Sequence, residues 1–349
     1  MSKPIHNDQL FDDVRQLILS ARQQVVRSIN VTMVATYFEI GKRMVEEEQH
    51  GKVRAEYSTQ VLENLSERLS REFGKGFSRS NLASMRQFYL TYSPIVQTVS
   101  GQLAEPGKVQ ASSAQPGSFF KLSWSHYIFL FRIENETERG FYEIEAAQNN
   151  WSLRELKRQF SSALFERLAL STDKDKVWKL ATEGQVIEKP QDLIKEPVVL
   201  EFLGLDEKPY YSESDLEQAI LDKLQDFLLE MGKGFTFVAR QYRITLEGRH
   251  YRIDLAFFNR ILQCFFLVDL KIGDIEHQDI GQMQMYVNYF DREMRLPHEA
   301  LTIGLILCRD KSESVVRYTL PEDNEQIFAS RYSTVLPDKE ALKKLLLEG

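Results

Sequence analysis

The chain has 349 residues, 43% of them apolar and 27% charged, and a net charge of −7. That length suits two or three ordinary domains with sizeable cores, while the lack of any run of about 18 apolar residues, and of an apolar stretch in the N-terminal MSKPIHNDQLFDDV, gives no sign of a membrane helix or a signal peptide. Residues 1–200 hold 26 basic and 25 acidic side chains against 18 and 26 in residues 201–349, so a cytoplasmic protein is expected whose early part is the better nucleic-acid docking surface.

Residues 8–49 and 57–72 show apolar residues at three- and four-residue steps, the pattern of helices with one buried face. The glycines of FGKGF break that pattern, and Ser78 can cap a following helix, SRSNLASMRQFYLTY. Two helices around a short glycine-containing turn have the length of a helix-turn-helix. Arg79, Asn81, Arg86 and Gln87 would then face a groove, and Arg68, Arg71 and Lys75 would meet phosphates. The competing reading is a helix pair with a solvated basic face or a protein interface. Residues 93–118, rich in Ser, Gly, Pro and Gln, are expected to form an exposed loop. Helices resume through WSHYIFLFRI, ETERGFYEIEAAQNN and WSLRELKRQFSSALFERLAL. The charged segment 171–197, with two prolines, reads as a linker and places a domain boundary near residue 190.

Beyond it the pattern changes. A helix, SESDLEQAILDKLQDFLLEMG, stops at Gly232 and Gly234. Three strands follow, Phe235 to Leu246, His250 to Phe258 and Leu262 to Lys271, joined by two-residue turns at Glu247-Gly248 and Asn259-Arg260. A helix over 276–291, a strand ALTIGLILC, a short helix, a strand around QIFASRYSTVL and a terminal helix complete the chain. The order α-β-β-β-α-β predicts an α/β domain with a mixed sheet over 191–349, after a mostly helical domain over 1–190. Cys264 and Cys308 lie in apolar runs without metal-ligand spacing and read as reduced core residues.

Two strands in this second half carry charges that apolar neighbours would bury. Asp269 and Lys271 are two apart and so share a sheet face, with Val268 and Leu270 facing the other way. A hairpin would set Asp254 alongside. Two carboxylates and an ammonium are costly together unless they pair or hold a metal. Oxygen ligands of this kind suit Mg2+ or Mn2+ with waters and a phosphate oxygen. The lysine can then act on the attacking water or the developing charge, which is the chemistry of phosphodiester hydrolysis. Glu217 sits on the helical stripe facing the sheet, although Ser214-x-x-Glu217 also spells a capping box. Gln282 and Tyr286 share one face of the later helix, where ordinary packing is the alternative. His250 and His277 read as surface residues and Gly248 as a turn residue.

Asp254, then Asp269-Leu270-Lys271, then QMQMY from Gln282 to Tyr286, resembles the PD-(D/E)XK nuclease superfamily, and the Gln-x-x-x-Tyr element is similar to its RecB-like branch. The wording GKGFTFVARQYRI, YRIDLAFFNRILQCFFLVDLKIG and GQMQMYVNYFD resembles the YhcG family of bacterial proteins, and GFSRSNLASMRQFY fits that family's winged-helix-like N-terminal domain. The resemblance implies Asp254, Asp269 and Glu217 as metal ligands, Lys271 as the catalytic lysine, and Gln282 and Tyr286 as accessory residues. Ile253 stands where the motif's proline would be, and Asp269 where the family more often has Glu. The leading expectation is therefore a metal-dependent DNA nuclease whose N-terminal domain binds DNA. The alternatives are a non-catalytic DNA-binding or assembly factor with a nuclease-like domain, and an oligomeric interaction protein. The sequence leaves DNA versus RNA and a homo-oligomeric state open.

Overall fold

The computed structural model describes residues 8–50, 55–102, 119–171, 174–205 and 211–348. They fall into two compact units, one ending at Arg139 and one beginning at Gly140.

The first unit is built from α1 (Asp8–His50), α2 (Ala55–Phe73), α3 (Arg79–Gln102) and α4 (Trp124–Leu130). Val34, Phe38 and Val45 of α1 and Leu82, Met85 and Phe88 of α3 form its buried stripe, so both helices turn one apolar face inward. They approach so closely at Gly41 that a Cβ there would collide with the Met85 carbonyl. Ser78 caps α3 as expected, its hydroxyl accepting from the Asn81 N–H at 3.3 Å. The helix then absorbs Pro94, which removes one backbone donor without ending it, and runs on to Gln102. The exposed loop expected from residue 93 is thus helix as far as 102, and its remainder, 103–118, lies outside the described residues. Among the described residues this unit contains no strand, so the wing of a winged helix is not among them.

The second unit opens with α5 (Glu136–Gln148), α6 (Leu153–Ser161), α7 (Leu164–Ser171) and α8 (Lys174–Glu183). The stretch expected as one helix from Trp151 divides at Ala163, whose φ of 53° is left-handed. The expected linker contains α8. The compact units divide at residue 139, and buried charge ties the helices before the expected linker to a later one. The fully buried Arg167 meets Glu230 at 2.6 Å, and Arg158 meets the same carboxylate at 3.2 Å. With two cations on it, and despite its burial, Glu230 titrates at about 2.

The rest is a six-stranded sheet in the order β1-β6-β5-β4-β3-β2, with β1 (Val198–Val199), β2 (Phe235–Leu246), β3 (Arg249–Asn259), β4 (Cys264–Asp274), β5 (Ile303–Asp310) and β6 (Ile327–Ser333). The first three long strands form an antiparallel meander, and β4, β5, β6 and β1 run parallel. Strands β2 and β3 close on Glu247-Gly248, with φ values of 48° and 79°, the pair of left-handed residues that a type I′ turn requires. The second turn is longer than the expected Asn259-Arg260 pair. Asn259 Oδ1 accepts from the Ile261 and Leu262 N–H groups and so curls residues 260–263 into a loop, which delays the start of β4 to Cys264.

Helices cover both faces. Leu216, Ile220, Phe227 and Met231, from α9 (Glu213–Asp222) and α10 (Leu224–Met231), pack on Leu255, Phe257, Phe266 and Val268. These two helices are the single helix expected from Ser212, broken at Lys223 with φ −123° and ψ 37°. On the other face, Ile280, Met283, Tyr286 and Val287 of α11 (His277–Tyr289) cover Ala256, Leu267 and Ile306. The short α12 (Glu313–Thr319) and the terminal α13 (Lys339–Glu348) complete the unit.

Candidate active site

The β3–β4 ladder runs from Asn259↔Cys264 to Leu255↔Val268 and ends there. Continued by one position it would set Asp254 opposite Asp269. Where the strands part, the Leu270 N–H is left without a backbone acceptor on β3, and Asp254 Oδ2 takes it at 2.8 Å. Simple alternation does not describe this place. Ile253 packs with the α11 side of the sheet and Leu255 with the α9 side, so β3 twists sharply through Asp254 and its carboxylate lies in the opening between strands.

Asp269 is 4% exposed and pairs with Lys271, Nζ to Oδ2, at 3.0 Å. Burial pushes its carboxyl up to about 7, the Asp254 charge adds to the rise, and Lys271 only partly offsets them. Burial works against the Lys271 ammonium as well, but Asp269 outweighs it and holds the lysine above its usual range. Asp279 stands on the other side of Lys271 at 3.6 Å. It also accepts the Glu276 N–H at 2.9 Å, and so joins the lysine to the start of α11.

Glu217 comes from the opposite layer and is 5% exposed. The capping box of α9 is made by Ser212 and Asp215, not by Ser214 and Glu217, which leaves the Glu217 side chain to turn inward. Its link to the strand acids is Gln241, whose Nε2 donates to Glu217 Oε2 at 2.6 Å and to Asp254 Oδ1 at 3.0 Å. Gln241 holds a φ of 45° in the middle of β2, and this left-handed residue turns the strand so that one amide reaches both acids. Burial raises the Glu217 pKa, with the Gln241 bond opposing and the Asp254 charge adding to it. Arg240 lies 3.6 Å from Glu217 Oε1.

Gln282 and Tyr286 meet each other, the amide donating to the phenol. The Tyr286 hydroxyl donates in turn to the Arg252 carbonyl at 2.8 Å, which fixes β3 two residues before Asp254. Burial and the nearby Asp269 push the phenol up to about 12. The structure therefore brings Glu217, Asp254, Asp269, Lys271 and Tyr286 together, with Gln282 bonded to the last of them. Sequence reasoning missed Gln241 and Asp279. A polar Gln within a strand was the available signal for the first, and an acid one helical turn before Met283 for the second.

One buried oxygen, Glu217 Oε1, has no hydrogen-bond donor, and Asp269 Oδ2 has only the Lys271 ammonium at 3.0 Å. Carboxylate oxygens left in that state fit a hard divalent cation, which takes one or two carboxylates and fills its shell with water and phosphate. Among the described residues no three His, Cys, Asp or Glu side chains are gathered closely enough to hold a metal ion between them, so a cation here would rest on a carboxylate pair with waters and phosphate completing its shell.

The first unit places its expected nucleic-acid residues less simply. Arg79 pairs with Glu63 at 2.7 Å, and Arg86 makes a bidentate contact with Glu48. Asn81 donates to the Gly76 carbonyl and accepts from the Trp124 indole, and Gln87 donates to Thr91. Four of the seven are thus engaged within the unit. Arg68, Arg71 and Lys75 are exposed.

The sequence pattern of the YhcG PDDEXK nuclease domain matches residues 191–347, and that of the DUF1016 N-terminal domain matches residues 13–167. Among solved structures, a repair endonuclease from Pyrococcus abyssi is similar over 38% of this chain and 50% of its own, at 16% identity and a TM-score of 0.25. An EndoMS–dsDNA2 complex is similar over the same shares, at 14% identity and a TM-score of 0.28. This chain thus spans about half the length of those structures, and at these scores no geometry carries over. With the Escherichia coli (strain K12) protein named "Putative nuclease YhcG" it shares 41% identity over 346 residues, 96% of this chain and 92% of that one, and the chain belongs to the YhcG family.

Proposed function

We propose that the second unit hydrolyses phosphodiester bonds in nucleic acid, DNA in the first place, with Mg2+ or Mn2+ held by Asp254 and Asp269 and with Glu217 joining through a water. The observation that carries this reading is the gathering of buried, under-satisfied carboxylates, Glu217 with a donorless Oε1 and Asp269 with the Lys271 ammonium alone on Oδ2. Membership in a family described by its nuclease domain supports it. A bound cation would polarise a phosphate oxygen and acidify a water. Lys271 orients that water and stabilises the charge that develops on the phosphate. Asp279 keeps the lysine in place, and Gln241 holds Glu217 and Asp254 at a fixed spacing. Gln282 and Tyr286 support the site through the Arg252 carbonyl rather than by touching substrate. In the first unit, Arg68, Arg71 and Lys75 supply phosphate contacts that bring DNA to the enzyme, while Arg79 and Arg86 do so only by exchanging Glu63 and Glu48 for phosphate.

The test is cleavage of linear, nicked and branched DNA and of RNA with Mg2+ or Mn2+, using wild type beside Asp254→Ala, Asp269→Ala and Lys271→Ala. The two aspartate variants should be inactive, and Lys271→Ala should lose about 10²–10³-fold in rate, the usual effect of removing one such electrostatic contact. Activity that survives Asp269→Ala would place the chemistry elsewhere. Nucleic-acid binding without cleavage of any substrate would favour the non-catalytic reading.

A further inference from the structure

The β2–β3 hairpin parts from the rest of the sheet beyond Leu255. Ladder β3–β4 ends at Leu255↔Val268, whereas β2 and β3 stay paired as far as Leu246↔Arg249. Over residues 240–252 this ribbon carries four arginines and one glutamate, in a half of the chain that is otherwise acidic. One side is apolar, since Tyr242, Ile244, Tyr251 and Ile253 pack with the α11 cluster. The other side carries Arg243 and Arg252, which the register sets directly opposite one another, both exposed. Like charges facing each other across a ladder repel. No carboxylate relieves them, for among the described residues neither forms an ion pair. The polar contacts of Arg243 run to the His250 ring, a neighbour that adds no negative charge. Arg240, where the ribbon begins, stands beside Glu217, so the basic face leads to the acid cluster.

We infer that this hairpin is a phosphate-binding rail, with Arg243 and Arg252 gripping the backbone of the nucleic-acid strand whose scissile phosphate enters the Asp254–Asp269 cluster. The identity of the anion rests on the nuclease reading; the unrelieved arginine pair does not. Phosphates along a strand would neutralise both guanidinium groups at once, and Arg favours such bidentate contacts. The rail also gives the second unit a grip of its own, whereas Arg79 and Arg86 of the first unit are already engaged by carboxylates.

The experiment is an anisotropy titration of labelled single-stranded and duplex DNA against the full chain, in EDTA, from about 50 to 200 mM salt. Each lost phosphate contact removes about 0.7–0.9 from the slope of log affinity against log salt, so Arg243→Gln/Arg252→Gln should flatten it by about 1.4–1.8. Arg243→Lys/Arg252→Lys should keep most of the slope. An unchanged slope in the Gln pair, or an affinity loss equal at every salt concentration, overturns the rail. Cleavage is scored separately with Mn2+. If wild type cuts nothing but the slope difference stands, the rail survives and the nuclease reading falls. If wild type cuts and the slope does not move, the rail alone falls.

Discussion

Asp269→Asn should stabilise the metal-free protein at pH 8 and leave its stability almost unchanged at pH 5. The Asp269 carboxyl titrates at about 7 in the fold against 3.8 when free, so between those values the native state binds a proton that the unfolded chain has released. Stability contributed by this group is present below pH 3.8, falls as pH rises, and is lost once pH passes about 7. The full shift of about three units corresponds to ~4 kcal/mol. Part of this is returned in the variant, about 2 kcal/mol, because the amide buries one more N–H than the protonated carboxyl it imitates. A net gain of about 2 kcal/mol at pH 8 is expected, which at about 2–4 °C per kcal/mol for a unit of this size raises Tm by ~4–8 °C. At pH 5 only about a third of the shift operates, ~1.6 kcal/mol from ionisation of the unfolded carboxyl, and the cost of the amide cancels it, so the melting curves should nearly coincide. The assay is thermal unfolding by circular dichroism in EDTA across that pH range, repeated with Mn2+. The cation should raise the wild-type Tm at pH 8, by about 2.7 kcal/mol of added stability at 100 times its Kd, and should leave the variant almost unmoved. A variant that melts lower at pH 8, or an equal difference at both pH values, would refute the assignment of Asp269 as a carboxylate kept under strain for a cation.

Gln241→Ala should destabilise by ~1–3 kcal/mol, since Glu217 Oε2 then joins Oε1 as a buried oxygen without a donor; the loss, read from Tm, should be greater at pH 8 than at pH 5. Glu230→Gln should lower stability by ~3–5 kcal/mol, because it leaves the fully buried Arg167 without its counter-charge, and a calorimetric Tm drop of about 10 °C checks it. Lys271→Ala should bind Mn2+ at least as tightly as wild type by isothermal titration while losing turnover, since it removes a cation from the site without removing an oxygen ligand.

The strands and helices of the second unit were legible because periodicity there follows burial. The alternation of β3 and the Glu247-Gly248 turn depend on residues close in sequence, as does the apolar stripe of α11. Where the reading failed, a distant partner or a local conformation decided. The segment 171–197 reads as a linker from its charge, yet it contains α8, and charge holds the helices before it to α10. Arg158 and Arg167 find Glu230 more than sixty residues away, and no window of sequence contains both ends of that contact. The break at Lys223 and the helix through Pro94 are likewise settled by packing that overrides local preference.

The candidate site shows the same division more sharply. Asp269 and Lys271 could be placed on one face from spacing alone, and the pairing at 3.0 Å agrees. Asp254 was reached by a weaker argument, that a hairpin neighbour keeps the alternation of an ideal strand. The structure brings it to the same cluster by another route: β3 leaves the ladder after Leu255, and a side chain takes over a backbone bond at Leu270. Such a departure needs a left-handed residue on the adjoining strand, and a hydropathy pattern shows Gln241 as one polar residue in a strand with no sign of its φ of 45°. Gln241 is therefore absent from a sequence reading for the reason that it matters in the fold. It keeps Glu217 and Asp254, two acids from opposite layers, at a spacing that neither helix nor strand would set by itself. The same twist leaves Arg240 beside Glu217 and sets Arg243 and Arg252 on the face away from α11, so a single strained residue connects the spacing of the acids with the direction of the basic ribbon.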